Sequence, residues 1–182
     1  MLHINQIYIN GEFVTPHGSE LFELFNPATE TVIGEVRLAD EEDTLRAIAA
    51  AKAAFPAWSQ TTREERIVVL ERMYLAVQAR EADLLEALVT EYGAPSVRAH
   101  WMVSWPAQTI RCAIDALKQF SFEEQVGRAK VVMTPVGVAG LITPWNSDAG
   151  FICNKLATAM ASGCTAVIKP SEMSAWQTQI VT

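Results

Sequence analysis

Residues 135–172 read PVGVAGLITPWNSDAGFICNKLATAMASGCTAVIKPSE, and the physical character of this stretch decides the fold. Val136–Thr143 is apolar and rich in Val, Ile and Gly, too short for an ordinary helix and suited to a buried strand. Pro144 ends it. Ser147 or Asp148 can cap the helix that follows, and Gly163 stands where a helix-ending glycine belongs. Cys164–Ile168 is a second short apolar run, closed by Lys169-Pro170. A strand–helix–strand unit of this size predicts a parallel crossover, a connection that is almost always right-handed. Such a crossover brings the carboxyl ends of both strands to one sheet edge. Trp145-Asn146 and Lys169–Glu172 then converge, although far apart in sequence. In open α/β sheets, ligands bind outside that edge.

Upstream, the chain changes period twice. Ile4–Phe13 alternates weakly around Asn10-Gly11, a hairpin signal because both residues tolerate positive φ. Leu21–Phe25 and Thr31–Val36 read as strands around the turn-forming Asn26-Pro27-Ala28-Thr29. Residues 1–39 are thus expected to form a small antiparallel β region laid over the rest. Residues 40–120 read as helical. Asp40 with Asp43 is a capping-box variant opening a helix to about Phe55, stopped by Pro56. Thr62 with Glu65 opens a second, whose apolar stripe is Ile67, Leu70, Met73, Tyr74 and Val77. A third spans Glu81–Tyr92, ended by Gly93-Ala94-Pro95. Val97–Phe120 is helical too, with Pro106 breaking it or opening its second half. Trp101, Met102 and Trp105 there are expected to be packing anchors rather than a ligand box. In region 121–135, Phe122–Arg128 is a charged break. Ala129–Met133 is a lone strand that needs a partner in this chain or another subunit. Residues 136–182 hold the crossover.

The 182 residues suffice for one sizeable core, or a domain with an appendage. Half are hydrophobic, and the net charge of −7 argues against nucleic acid or an anionic membrane as the main partner. Cys112, Cys153 and Cys164 are odd in number and lie in apolar surroundings, which disfavours a disulfide framework and fits a reducing cytoplasm. No basic-then-apolar leader follows Met1, and no apolar run approaches membrane-spanning length, so a cytoplasmic location is expected.

At the converging edge, the side-chain amide of Asn146 can donate to a developing oxyanion without carrying charge. It can equally bond its own turn backbone. Trp145 is core or a wall of the cleft. Lys169 suits a ribose or phosphate oxygen. Glu172 can accept from two ribose hydroxyls, and its charge would disfavour a cofactor carrying a 2′-phosphate. A solvated Lys–Glu surface pair is the plainer alternative. No G-x-G-x-x-G, no Walker loop and no metal-ligand spacing occurs, and His3, His17 and His100 are scattered.

GLITPWN followed after one helix by AVIKPSE resembles the aldehyde dehydrogenase superfamily, and the pair at this spacing is highly specific. The likeness covers nearly the whole chain. YINGEFV and FNPATETVIGEV resemble the family's N-terminal hairpin and Asn-Pro-Ala-Thr segment, TREERIVVL its Arg-rich second helix, and VVMTPVGVAGLITPWN its lead-in to the active site. The resemblance implies an α/β fold: the N-terminal part of a Rossmann-type domain, with a β-hairpin region, several helices and a βαβ crossover. It implies NAD-dependent oxidation of an aldehyde to a carboxylic acid, in a homo-oligomer. Asn146 would stabilise the thiohemiacetal oxyanion, and Ile142, Thr143, Pro144 and Trp145 would border the nicotinamide and its ribose. Lys169 and Glu172 would hold the adenosine ribose with Ser171 nearby, and the glutamate marks NAD rather than NADP. Region 121–135 would belong to an oligomerisation flap.

Lys155 matches a family lysine, but other positions depart. Ser147-Asp148-Ala149-Gly150 stands where an aromatic residue and a proline usually follow the Asn. Ala94 replaces a lysine and Ala175 a proline, which bears on substrate-side shape more than on cofactor grip. Family members are also much longer, and the further part carries the Gly-rich pyrophosphate turn, the general-base glutamate and the nucleophilic cysteine. Cys153 and Cys164 are poor substitutes, because no His or Lys is evident to lower a thiol pKa. The expectation is therefore an N-terminal piece, inactive alone. A non-catalytic module that assembles with full-length subunits is the alternative, and an artefactually truncated gene a third reading.

Overall fold

The computed structural model describes residues 1–182. Five helices fill residues 41–119: α1 (Glu41–Ser59), α2 (Arg63–Gln78), α3 (Glu81–Thr90), α4 (Ser96–Met102) and α5 (Trp105–Gln119), of which α2, α3 and α5 line the main core. The two capping boxes form as the sequence predicts. The Asp40 carboxylate accepts from the amides of Glu42 and Asp43, and Thr62 exchanges bonds with Glu65 at 3.2 and 2.7 Å. The stripe on α2 faces inward, with Leu70 and Val77 buried against α5 and the crossover helix. Burying one leucine of this kind contributes about 1.5–3 kcal/mol.

The crossover itself is parallel. β8 (Val138–Ile142) pairs with β9 (Thr165–Lys169) in register from Val138↔Thr165 to Ile142↔Lys169, joined by α6 (Asp148–Ala161). Gly163 closes α6 with a φ of +83°, and the Arg66 guanidinium fills the space a Cβ there would need. Beyond β9, a 3₁₀ turn (Glu172–Ser174) leads into α7 (Ala175–Val181). The N-terminal strands are β1 (Leu2–Ile4), β2 (Ile7–Ile9), β3 (Glu12–Val14), β4 (Leu21–Asn26) and β5 (Thr31–Arg37). Asn10 and Gly11, at φ +54° and +87°, make the tight β2–β3 turn. Ile4, Leu24 and Val36 form one apolar cluster with Ala175, so this sheet rests on the start of α7, directly behind the 3₁₀ turn.

Five expectations need correction. The first 39 residues are not wholly antiparallel, because β1 pairs parallel with β5 and thereby places Ile4 beside Val36. Helix α1 runs through Pro56 to Ser59. A proline in the last turn costs a single ladder bond, and Thr61 and Arg66 take up the carbonyls of Trp58 and Ser59 at 2.6 and 3.0 Å. Trp101 is not a core anchor but 69% exposed, with the Arg98 guanidinium stacked 4.9 Å from its ring centroid. Phe122–Arg128 is not merely a charged break: it holds β6 (Glu123–Val126), the partner within this chain that Ala129–Met133 needs, which pairs antiparallel with β7 (Ala129–Val132) across a turn in which Gly127 takes φ +61°. The charged stretch hid that partner, since every residue of both strands is solvent-exposed and no apolar alternation is needed. Finally, the crossover strands are less buried than their composition implied. Leu141 is buried, whereas Ile142 is 71% exposed and a Cβ on Gly140 would meet open space.

Met102 and Trp105 behave as expected: the first is buried, and the second stacks edge-on to Phe151 at 5.1 Å. Its indole lies so close to Gly150 that a Cβ there would penetrate the ring. Gly150→Ala should therefore destabilise the chain by about 1–3 kcal/mol in urea unfolding, the usual range for overpacking. Shortening Trp105 in the same chain should recover part of that loss. Equal stability of Gly150→Ala and the parent would refute the packing account.

Candidate functional site

The Thr143 amide donates to the Lys169 carbonyl at 3.2 Å, carrying the β8–β9 ladder one residue past the strands. Ile142 and Lys169 are consequently neighbours, and the turns that follow each strand begin side by side. Lys155 on α6 donates to the Ile142 carbonyl at 3.0 Å and fixes the strand end. After Pro144, Trp145 is half-exposed with its ring 5.8 Å from that of Tyr92, so it packs against the α3 terminus while keeping one face in solvent. Asn146 is exposed and its amide makes no hydrogen bond within the chain. Ser147 sits at the helix N-cap position in a left-handed conformation (φ +65°, ψ +44°), without a side-chain cap bond. Such a backbone is strained for a residue other than glycine, by about 1–2 kcal/mol.

On the other strand, Lys169 is exposed and its ammonium lies 3.6 Å from the Glu172 carboxylate. An exposed pair of this kind adds little stability, so both groups remain available to a ligand. The Ser171 hydroxyl accepts from the Met173 amide at 3.3 Å and thereby starts the 3₁₀ turn.

Beneath these exposed groups lie two carboxylates that the sequence reading did not single out as buried. Asp148 is wholly buried, and its Oδ2 accepts from the hydroxyls of Ser174 (2.8 Å) and Thr178 (3.0 Å). Its Oδ1 and the buried Thr143 hydroxyl both lack a partner in hydrogen-bond geometry. Burial raises the Asp148 pKa, while the neighbouring hydroxyls and Lys169 oppose that rise. Glu91, 5% exposed, follows α3 and accepts from the Trp176 and Gln177 amides at 2.7 and 3.1 Å, closing the first turn of α7. Burial pushes its pKa up to about 7 against those bonds, and the Asp148 charge adds to the rise. Nothing in the sequence marks either acid as buried; Asp148 looks like an ordinary cap and Glu91 like a surface helix end. Burial likewise pushes the Cys153 thiol up to about 12, which makes it a poor nucleophile. A cleft of about 470 Å³ opens elsewhere, between the α1–α2 junction and the root of the β6–β7 hairpin, lined in part by Arg63, Arg66 and Phe122.

A parallel crossover with an open polar edge at its strand ends defines an α/β, Rossmann-type binding unit. The Aldehyde dehydrogenase family model matches residues 13–182, and the chain belongs to that family, corresponding to its N-terminal portion. A 3-succinoylsemialdehyde-pyridine dehydrogenase from Pseudomonas sp. is 39% identical over 176 residues, 96% of this chain and 37% of that protein. The crystal structure of an aldehyde dehydrogenase from Bartonella henselae superposes with a TM-score of 0.94 at 32% identity, covering 100% of this chain and 39% of the other. A mutant of aldehyde dehydrogenase C from Pseudomonas syringae, in complex with NAD+ and octanal, gives 0.92 at 37% identity, covering 98% and 38%. The chain thus spans less than two fifths of the length of these relatives.

The buried acid gives a pH signature. Because the folded pKa of Glu91 lies near 7, above its ordinary 4.5, its contribution is most favourable below pH 4.5, falls as pH rises to about 7, and then levels off. The loss is on the order of 3 kcal/mol. Glu91→Gln keeps one acceptor for the α7 amides and removes the charge. Its unfolding free energy should vary much less than the parent's between pH 5 and 8. Parallel curves for the two proteins would contradict this.

Proposed function

We propose that this chain supplies the oxyanion donor and the adenosine-ribose site for the NAD-dependent oxidation of an aldehyde to a carboxylic acid. The observation that carries the reading is the Lys169–Glu172 pair, exposed beside the end of β8 at the edge where α/β sheets take ligands. This donor set fits the cofactor: a carboxylate can accept from both hydroxyls of a ribose, and the ammonium can donate to a ribose or phosphate oxygen. Ser171 lies between them in sequence, with its hydroxyl committed to the turn. Ile142, Thr143, Pro144 and Trp145 form the wall on the nicotinamide side, supported by the exposure of Ile142 and Trp145. NAD, when bound, supplies the hydride acceptor. The free amide of Asn146 donates to the substrate oxygen as negative charge builds there, an interaction stronger in the transition state than before it.

No thiol stands at the strand-end edge: Cys153 and Cys164 are buried, Cys153 is held protonated, and the exposed Cys112 lies on α5. The nucleophile and general base therefore come from outside these residues, and the chain alone is inactive. Its three unpaired cysteines fit a reducing, cytoplasmic setting. A second role is supported by the β6–β7 hairpin, whose Val126, Val131 and Val132 are uncovered: it pairs the chain with another aldehyde dehydrogenase subunit or with its own copy. Sedimentation as a pure monomer, with no co-purifying dehydrogenase, would remove that role.

The cofactor assignment is tested by calorimetric titration with NAD and NADP. The chain should prefer NAD, and Glu172→Ala should narrow that preference about tenfold, because the variant no longer repels a 2′-phosphate. A preference untouched by the substitution would overturn the assignment of Glu172.

A further inference from the structure

We propose that Asp148 is a positioning residue that locks the Asn146 turn and the Lys169–Glu172 turn into one rigid edge. The two turns leave different strands, and past the Thr143–Lys169 bond the backbone ladder no longer ties them. Asp148 takes over at that point. It is the first residue of α6, two beyond Asn146, and its buried Oδ2 receives the Ser174 hydroxyl at 2.8 Å, two residues beyond Glu172. The same oxygen receives Thr178 at 3.0 Å, which adds the first turn of α7. The Ser174 backbone amide donates to the Ser171 carbonyl at 3.2 Å, so the pull of Asp148 on the Ser174 hydroxyl passes into the turn carrying Lys169 and Glu172. On the Asn146 side, the left-handed Ser147 leaves the chain only one way into α6, and the buried Asp148 anchors it there.

The arrangement is expensive. Asp148 is wholly buried, so desolvation opposes its charge, and the buried Glu91 carboxyl stands nearby. A buried carboxyl is tolerated only where hydrogen bonds hold it, and here those bonds come from Ser174 and Thr178 on the far side of the edge. Asp148 falls within Ser147-Asp148-Ala149-Gly150, the segment that departs from the family pattern after the Asn.

Only the purpose of this coupling rests on the proposed cofactor role, so the test is read on the ligand-free chain by amide hydrogen exchange. Asp148→Ala should speed exchange at the Met173 and Ser174 amides about tenfold, the effect there of losing the Ser174 bond to a charged acceptor. Ser174→Ala should do the same, and the double variant should go no further, because both remove one shared bond. Asp148→Asn should restore slow exchange, since its Oδ1 can accept both hydroxyls while its Nδ2 reaches toward the unpaired Thr143 oxygen. The proposal is overturned if exchange rises only at Gly150 and Phe151 within α6, if the two single effects multiply, or if the asparagine fails to rescue. NAD titration of the same samples decides the cofactor role separately: a parent chain that binds no NAD removes that role and leaves the exchange result standing.

Discussion

The parallel pairing of Val138–Ile142 with Thr165–Lys169 is the constraint on which the rest depends. Parallel strands cannot be joined by a tight turn, so α6 must cross over and pack on the helices behind them. That crossover buries Ala149, Cys153 and Ala157 against α2 and α5 and sends both strand ends to the same side. Everything chemical in the chain follows from the register: Ile142 meets Lys169, and the Asn146 and Glu172 turns start from that shared rung. A slip of one residue would turn Leu141, the one buried residue of β8, out of the core.

Charge burial organises both ends of α6. Arg66, Asp148 and Glu91 lie inside the fold, each held by hydrogen bonds to groups distant in sequence. Arg66 ties the end of α1 to the end of α6 through the carbonyls of Ser59 and Ala161. Asp148 and Glu91 converge on α7 from different helices, one through side-chain hydroxyls and the other through backbone amides. These groups specify which elements meet, at a desolvation cost that the pKa of Glu91 makes visible.

Much of this was legible in the sequence, for identifiable reasons. Capping boxes, Asn10-Gly11 and the strand–helix–strand pattern are local signals, and the elements they name are present. The crossover placed Ile142, Thr143, Lys169 and Glu172 at one edge because β topology leaves little choice once the strands are parallel. What stayed hidden depends on tertiary context. The β6 strand carries three polar residues and one valine, so no period exposes it, and the place of Pro56 within the last turn of α1 is invisible to composition. The roles of Asp148 and Glu91 arise from burial that no local pattern encodes. Trp101 shows the converse: aromatic character alone does not place a side chain in the core.

The central claim is that the edge formed by the two strand ends is where the adenosine ribose and nicotinamide of NAD are received. It is tested most directly by following backbone amide chemical shifts of the labelled chain during titration with NAD. The account predicts saturable shifts grouped at Ile142–Asn146 and Lys169–Glu172, with the β6–β7 hairpin and the Arg63–Phe122 cleft unmoved. Saturable shifts grouped at that cleft, or no shifts at the strand ends, would contradict it.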